Sequence, residues 1–356
     1  GNGIDHEIPM TGFIGGWASD PTVWMMNSFT QCVNPLSNTN PTVAGGLVVN
    51  NGKIEYAVMK DEYRDGLRYM HKLFEEGLLD NQTFLQDNTQ FSATMDASEG
   101  NKVAVYANGG VENSEFWQQV DGEWQNWEIL APVAGPDGVR YSGRCIQTYF
   151  EGCLGVVSST CKYPEIVVAL FDFMASEDAA HHIGGGPEGI AWKYTDEGVS
   201  LSGGTPAYEQ ITVPEDFDYV KEGGLPKAYA NYRYTPDAMI QRGSAEYRGG
   251  LKIEDPSHST EYWFQQCAEL YSQYAPDVDT LVPNLSFEGE DARIVTEGTL
   301  TIGGYVNQAL VQFIDGSLDI EKDWDAYIEK LKSMGVDEYV AAYQRTYDAY
   351  MEAQGK

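Results

Sequence analysis

Short apolar runs and longer amphipathic segments alternate along this chain, and that alternation constrains its fold more than any other feature. Residues 103–107 form an apolar run that predicts a short buried strand. Between Asp61 and Glu76 apolar residues recur at helical spacing, and Gly77 supplies a natural stop. Helical spacing returns in most of the last hundred residues. Short strands mixed with long helices predict an α/β fold rather than an all-α or all-β one.

Several further elements follow from local patterns. Apolar runs at 47–49 and 54–56 flank an Asn-Gly pair, which predicts a β-hairpin. We expect Asp337 to cap the last helix, on which tyrosines recur every three or four residues and favour packing over ligand contact. The remaining predictions are a strand at 128–130 and helices at 165–176, 261–274, 305–314 and 323–334.

The charge balance excludes one class of partner. The chain has 54 acidic and 22 basic residues, a net charge of −32. A surface this negative repels phosphate backbones, so we expect no nucleic-acid ligand. The longest apolar run, 166–171, is far shorter than the roughly 20 residues of a membrane span.

Aromatic residues are more numerous than a core requires, with 8 Trp, 23 Tyr and 13 Phe. We therefore expect some rings to line a binding surface. Catalytic signatures are absent: the sequence has no HExxH, no GxSxG, no Walker loop and no GxGxxG after a strand. The five cysteines are scattered and predict free thiols, with a Cys153–Cys161 or Cys145–Cys153 disulfide left open.

Six segments spread over the chain, in a consistent order, carry a family resemblance. They are GNGIDHEIP (1–9), YRDGLRYM leading into LFEEGLLD (63–80), AP to GPDG (131–138), CKYPE to LFDFM (161–174), GPEGIAW (186–192), and FIDG through DWDAY to MGVDEY (313–339). Together they resemble the family 1 extracellular solute-binding proteins of ABC importers. More narrowly they resemble the long lipoprotein branch that includes alginate-binding proteins.

The resemblance implies an α/β protein of the type II periplasmic-binding-protein class, with two lobes, a hinge and a ligand between the lobes. Members of the branch carry a lipobox, a linker and most of the first lobe before the Asn-Gly loop at the start of this sequence. We therefore expect a fragment with an incomplete first lobe. Within it, residues 1–140 are expected in the second lobe, 141–195 in a returning segment of the first lobe, and 196–356 mostly in the second lobe with the C-terminal helices.

Candidate ligand contacts are aromatic and polar residues in loops or at strand ends, because sugars present apolar faces and hydroxyls. The three tryptophan candidates lie in Gly- or Pro-rich stretches, whereas three further tryptophans (Trp117, Trp124 and Trp127) favour covering a sheet edge. The candidate set is Trp17, Trp24, Trp192, Glu188, Asn108, Arg144 and Tyr149.

A calcium loop is a feature of the resembling family, and the opening residues match it in part. Asn2 and Glu7 match, and the Ile4 carbonyl could serve as a ligand, but His6 stands where the family has an acid. The first two ligands of the loop would precede the sequence. We expect no other cofactor.

The sequence thus predicts a non-enzymatic substrate-binding component of an ABC importer that captures a carbohydrate or oligosaccharide and passes it to a permease. Its expected location is extracellular, anchored as a lipoprotein in the full-length protein, and its expected state is a monomer. Two alternatives stay open. One is a carbohydrate-active enzyme using a carboxylate pair, and the other is a peptide-binding or surface interaction protein on the same fold.

Overall fold

The strands and helices that position the site come from a computed structural model of the chain. It describes residues 7–14, 19–32, 46–95, 102–107, 127–142, 156–174, 188–190, 192–195, 199–200, 207–211, 252–253 and 260–355. The chain divides into a first unit, residues 1–147 with 266–356, and a second unit, residues 148–265. How the segments 1–140, 141–195 and 196–356 divide between two lobes stays a prediction.

Helices and short strands alternate in the described residues, as expected for an α/β chain. The helices are α1 Pro21–Met26, α2 Asp61–Glu75, α3 Asn88–Met95, α4 Pro164–Met174, α5 Thr260–Ser272, α6 Gly289–Asp315, α7 Trp324–Ser333 and α8 Val336–Ala353. The strands are β1 Ile8–Thr11, β2 Leu47–Asn50, β3 Lys53–Tyr56, β4 Val103–Tyr106, β5 Trp192–Thr195, β6 Val199–Ser200, β7 Ala207–Gln210 and β8 Lys252–Ile253.

Each described strand pairs with one other. In the first unit β1 pairs with β4 in parallel, and β2 pairs with β3 antiparallel. In the second unit β5 pairs with β7 and β6 with β8, both antiparallel.

The main core of the first unit forms where α2, α6, α7, α8 and the β2–β3 hairpin pack together. Its apolar side chains leave water almost completely, and burial of this kind is the main favourable term in folding. Leu67 and Met70 come from α2, Ile302 and Phe313 from α6, Leu331 from α7, Ala342 from α8 and Val49 from β2.

Helix α2 confirms the sequence prediction, including its end. Its apolar side chains Tyr63, Leu67 and Met70 are buried on one face. Gly77 adopts a φ of 70° just after the helix. The amide of Leu78 donates to the carbonyl of Leu73 at 2.8 Å, and that of Gly77 to Phe74 at 3.0 Å. These two bonds are a Schellman motif, which satisfies carbonyls that the helix end would otherwise leave unpaired.

The predicted hairpin is also confirmed. Asn51 and Gly52 have φ values of 49° and 80°, the geometry of a type I′ turn. The side chain of Gln344 on α8 then fastens the hairpin to the core. Its Oε1 accepts from the amide of Ile54 at 2.7 Å, and its Nε2 donates to the carbonyl of Gly52 at 3.0 Å.

Three local predictions are wrong. Helix α6 begins at Gly289, far before the expected start at 305, because packing overrides the low helix propensity of its glycines. Residues 127–135 form no strand. Their carbonyls pair with side chains instead, since Tyr271 donates to Leu130 and Ser28 to Val133. Asp337 is not the cap of α8. Gly335, with a φ of 90°, precedes the helix, and Asp337 lies in its first turn.

The predicted free thiols are confirmed for Cys32, Cys161 and Cys267. Cys161 is therefore not joined to Cys153. Three of the four tyrosines on α8, Tyr339, Tyr343 and Tyr347, pack against the main core as expected.

Two glycines of α6 provide a matched test of helix packing. A methyl group on Gly298 would overlap the ring of Tyr339, whereas one on Gly304 would meet nothing within 4 Å. We expect Gly298→Ala to lower the free energy of unfolding by about 1–3 kcal/mol through overpacking. Gly304→Ala should raise it by about 0.5–1 kcal/mol through helix propensity. Urea unfolding of both variants checks this, and equal effects would contradict the close α6–α8 contact.

Buried phenols and one buried thiol predict loss of stability in alkali. Burial raises the pKa of Cys32 from its ordinary 9.0 to about 12. It also raises the pKa of Tyr63 and Tyr327 well above the ordinary 10.0. The fold favours the neutral forms, so their contribution is complete below the ordinary pKa values and is lost progressively as pH rises from those values towards the raised pKa values of the folded protein.

We therefore expect the free energy of unfolding to fall between about pH 9 and pH 11, and tyrosinate absorbance to rise together with unfolding. Urea titrations at several pH values measure the first, and ultraviolet spectra the second. Complete tyrosine ionisation in a protein that keeps its native circular dichroism would contradict the buried positions.

Candidate functional site

The carboxyl ends of β1 and β4 meet at one edge of the first unit. The strands run in parallel with Ile8 opposite Val103 and Thr11 opposite Tyr106. Chain segments that leave parallel strands at their carboxyl ends emerge side by side, and α/β proteins bind ligands at such edges. We therefore take this edge as the candidate site, and name it the β1–β4 edge.

The segment that follows β1 turns tightly before α1. The amide of Phe13 donates to the carbonyl of Ser19 at 2.8 Å and so closes the turn. Gly12 lies so near the carbonyl of Ser19 and the ring of Pro21 that a side chain would overlap both. Trp17 lies between the described ends of this segment and itself lies outside the described residues, as does Asn108, which follows β4.

Buried polar side chains stand at the end of β1. The hydroxyl of Thr11, which is completely buried, donates to Asp80 Oδ2 at 3.0 Å. The amide Nε2 of Gln86 donates to the same hydroxyl at 3.1 Å and also to the carbonyl of Gly12. These groups satisfy one another, as buried polar groups must to avoid a desolvation penalty.

A series of aromatic rings reaches this edge from a second, smaller buried cluster, which Phe91 forms with Met95 and Val103. Phe91 is completely buried and has its ring centroid 5.5 Å from Phe13 and 6.5 Å from Tyr106. Tyr106 meets Trp127 edge to face, with centroids 4.7 Å apart. Both Tyr106 and Trp127 are half-buried, so each residue keeps part of its surface accessible.

Sequence reasoning left Trp127 and Tyr106 out of the candidate set. Trp127 was interpreted as cover for a sheet edge, and its contact with Tyr106 agrees with that interpretation. The signal that could have selected Tyr106 was its place at the end of a predicted strand, the same criterion that selected Asn108.

Trp24 lies on α1, directly after the segment that leaves β1. Asp20 caps this helix, because its Oδ1 accepts from the amide and the hydroxyl of Thr22 at 2.9 and 2.6 Å. The half-buried ring of Trp24 lies 5.9 Å from that of Tyr271, centroid to centroid. Burial raises the pKa of Tyr271 to about 12, and its hydroxyl donates to the carbonyl of Leu130 at 3.1 Å.

Trp192 and Glu188 belong to the second unit. The ring of Trp192 is only 1% exposed and packs edge to face against Tyr194 and Tyr208, at centroid distances of 5.2 and 6.5 Å. Glu188 is exposed, and the amide of Gly189 donates to the carbonyl of Trp192 at 2.6 Å. In this structure Trp192 therefore presents almost no surface to a ligand, and its expected role stays a prediction.

Four further expected residues cannot be placed, in addition to Trp17 and Asn108. Arg144, Tyr149, Asn2 and Ile4 lie outside the described residues. Glu7 precedes β1 and is exposed. Within the described ranges, no group of three or more His, Cys, Asp or Glu could hold a metal ion. Among the helices described, none combines the length and the apolar character that crossing a membrane requires.

A shallow cavity of about 420 Å³ lies elsewhere in the first unit, where β3 meets the start of α8. An ion pair between Lys60 and Glu55 borders it. None of the residues expected to bind ligand lines it; the lining residues are Glu55, Tyr56, Met59, Lys60, Asp337 and Val340.

No protein-family model matches the chain. In sequence it is similar to the fructooligosaccharide ABC transporter substrate-binding protein FusA of Streptococcus pneumoniae, with 22% identity over 353 residues. The match covers 98% of this chain and 59% of FusA, so the chain spans about three fifths of the length of that relative.

Solved structures give the fold. An extracellular solute-binding protein from Bifidobacterium longum subsp. infantis matches with a TM-score of 0.70 and 19% identity, covering 98% of this chain and 66% of that one. A human-milk-oligosaccharide (HMO) binding, ABC-transporter-associated solute-binding protein from the same subspecies gives 0.68, with 21% identity and coverage of 98% and 66%. A FusA EF-hand mutant in complex with fructo-nystose gives 0.63, with 20% identity and coverage of 99% and 65%.

These likenesses confirm the predicted fold class. The chain has the α/β fold of the solute-binding proteins of ABC importers, and the resemblance read from its six segments is confirmed at the level of sequence similarity and fold.

Proposed function

We propose that the chain is the ligand-binding part of a substrate-binding component of an ABC importer, and that its ligand is a carbohydrate or oligosaccharide. The observation that carries this proposal is the similarity to FusA over 98% of the chain, since FusA is a fructooligosaccharide-binding component of such an importer. The fold shared with a second oligosaccharide-binding protein supports it.

The β1–β4 edge offers the chemistry that a sugar requires. The apolar C–H face of a sugar ring packs on an aromatic face, and the partly accessible residues Tyr106 and Trp127 provide one there. The sugar hydroxyls need polar partners, because an unpaired buried hydroxyl costs free energy. Trp17 and Asn108 follow β1 and β4 along the chain, and we assign them to this contact as well.

We further propose that the chain binds its ligand without catalysis. A glycosidase needs two carboxyl groups that can exchange protons with the substrate. Two acids that the structure describes next to the β1–β4 edge, Asp80 and Asp20, are already engaged within the protein. Asp80 accepts from Thr11 and Gln82, and Asp20 accepts from Thr22. Capture is then a matter of differential affinity between two conformations of a hinged protein, the ligand favouring the closed one.

The remaining expectations accompany the same proposal. A component of this kind works outside the cell, held by a lipid anchor, and delivers its ligand to a membrane permease as a monomer. The acidic surface suits a neutral glycan better than a polyanionic one, because like charges repel.

Binding of oligosaccharides tests the proposal. We expect kestose, nystose or a member of a human-milk-oligosaccharide panel to raise the melting temperature of the 356-residue chain and to give a saturable calorimetric signal. Trp127→Ala should weaken that binding about tenfold, because a lost ring contact is worth on the order of 1.4 kcal/mol. Tyr350→Ala is the matched control, since its ring is 38% exposed on α8 and contributes nothing to the β1–β4 edge.

Two outcomes would count against this assignment. No binding by any saccharide of the panel would remove the proposed function. If Trp127→Ala and Tyr350→Ala bind the saccharide with equal affinity, the protein still binds a sugar, but the β1–β4 edge is not the binding site.

The resemblance also implies a calcium site at the start of the chain. One solved structure of FusA is that of an EF-hand mutant, and this finding applies to FusA and not to the present chain. Here Glu7 is exposed, and the described residues supply no further cluster of acids around it. The described residues thus do not make up a calcium-binding set, and no step of ligand binding is derived through the ion.

Because His6 stands where the resembling calcium loop has an acid, and a hard cation prefers oxygen to imidazole, we expect a calcium chelator to leave the melting temperature of the chain unchanged. Differential scanning calorimetry with and without added Ca²⁺ measures this, with Mg²⁺ as the control cation. A stabilisation by Ca²⁺ that Mg²⁺ does not reproduce would show that the opening residues hold the ion, because a ligand that binds the native state raises its stability.

A further inference from the structure

We infer that Gln86 is a positioning residue for ligand binding: it fixes the direction in which the chain leaves β1, and through it the geometry of the β1–β4 edge. This inference rests on the proposed function. It assigns a role to a side chain that touches no ligand in the proposal and that carries no sequence motif.

The first observation concerns the two hydrogen bonds that the side-chain amide of Gln86 donates. The residue is only 8% exposed, and its Nε2 donates to both the hydroxyl of Thr11 and the carbonyl of Gly12. Thr11 is the last residue of β1, and Gly12 is the first residue after it. Both bonds therefore act at the point where the strand ends and the edge segment begins.

The second observation is that residues 80–86 hold this segment at successive points. The amide of Asp80 donates to the carbonyl of Met10 at 2.9 Å, and Asp80 Oδ2 accepts from Thr11. The amide of Ile14 donates to the carbonyl of Thr83 at 3.1 Å. Gln86 supplies the contact between these two, at Gly12.

The third observation is that the far end of the segment is also fixed. The Phe13–Ser19 hydrogen bond closes it, Gly12 packs against Pro21, and Asp20 caps the helix that follows. With both ends held, a change in direction at Gly12 displaces Phe13, whose ring contacts Phe91 and, through Phe91, Tyr106 of the β1–β4 edge.

Directionality distinguishes this arrangement from ordinary core packing. Apolar burial is proportional to area and indifferent to orientation, whereas hydrogen bonds require donor and acceptor to align. A leucine could fill the volume of Gln86 but could not orient the carbonyl of Gly12. Holding contact groups in the binding geometry before the ligand arrives increases affinity, because less ordering remains to be done on binding.

Gln344 is a matched control for the loss of a glutamine. It too forms two hydrogen bonds to the backbone, at Ile54 and Gly52, but it lies on α8 and holds the β2–β3 hairpin. Gln86→Leu and Gln344→Leu remove the same kind of bonds from two places in the first unit. A merely structural role for Gln86 would make the two variants behave alike.

The test uses the 356-residue chain with kestose and nystose as probes, or whichever panel saccharide binds the unsubstituted protein. We expect Gln86→Leu to raise Kd about tenfold while Gln344→Leu leaves Kd within about twofold. Hydrogen–deuterium exchange without ligand should be faster at the amides of Phe13 and Ile14 in Gln86→Leu only.

Thr11 provides a second pair of variants should Gln86→Leu fail to fold. Thr11→Val removes the hydroxyl that joins Gln86 to Asp80 and should weaken saccharide binding. Thr11→Ser keeps the hydroxyl and should bind saccharide as the unsubstituted chain does.

The outcomes separate the two proposals. If the unsubstituted chain binds no saccharide, the proposed function fails, while exchange at Phe13 and Ile14 still reports on Gln86. If it binds, and Gln86→Leu matches Gln344→Leu in both Kd and exchange, the positioning role is overturned.

Discussion

The parallel pairing of β1 with β4 is the contact on which the candidate site depends. The two strands are distant in sequence, and the hairpin, α2 and α3 all lie between them along the chain. Closing so long a connection costs conformational entropy, which only burial of the intervening elements can offset. The main core buries the hairpin and α2, and the smaller cluster of Phe91, Met95 and Val103 buries α3 against β4, so the geometry of the site is a consequence of packing in both clusters.

Elements with strong local signals could be predicted from the sequence alone. The hairpin was predictable because Asn51 and Gly52 tolerate positive φ, and α2 because its apolar face ends at Gly77. The first half of α6 could not be predicted, because Gly298 and Gly303 have low helix propensity. The structure shows that the ring of Tyr339 occupies the space where a side chain at position 298 would lie. Propensity is a weak guide wherever tertiary contacts decide.

The candidate site was predictable only in its chemistry. The excess of rings indicated a sugar, and the family resemblance indicated the fold, but neither distinguishes a ring that binds a ligand from one that packs. Trp192 is covered by Tyr194 and Tyr208, whereas Trp127 keeps part of its surface accessible. That difference arises from strand pairing between distant residues, which one sequence does not reveal. The polar contacts of Gln86 escaped notice for the same reason, since glutamine has no characteristic spacing.

The side chain of Gln344 has a consequence for the behaviour of the protein in concentrated solution. The amide of Ile54 points away from β2, so β3 has an open side that could recruit a strand from a neighbouring molecule. Gln344 occupies that amide and lies across the end of the hairpin. A single amide side chain thus blocks intermolecular sheet extension at this position, beside Lys53 and Glu55, the charged residues that β3 itself carries.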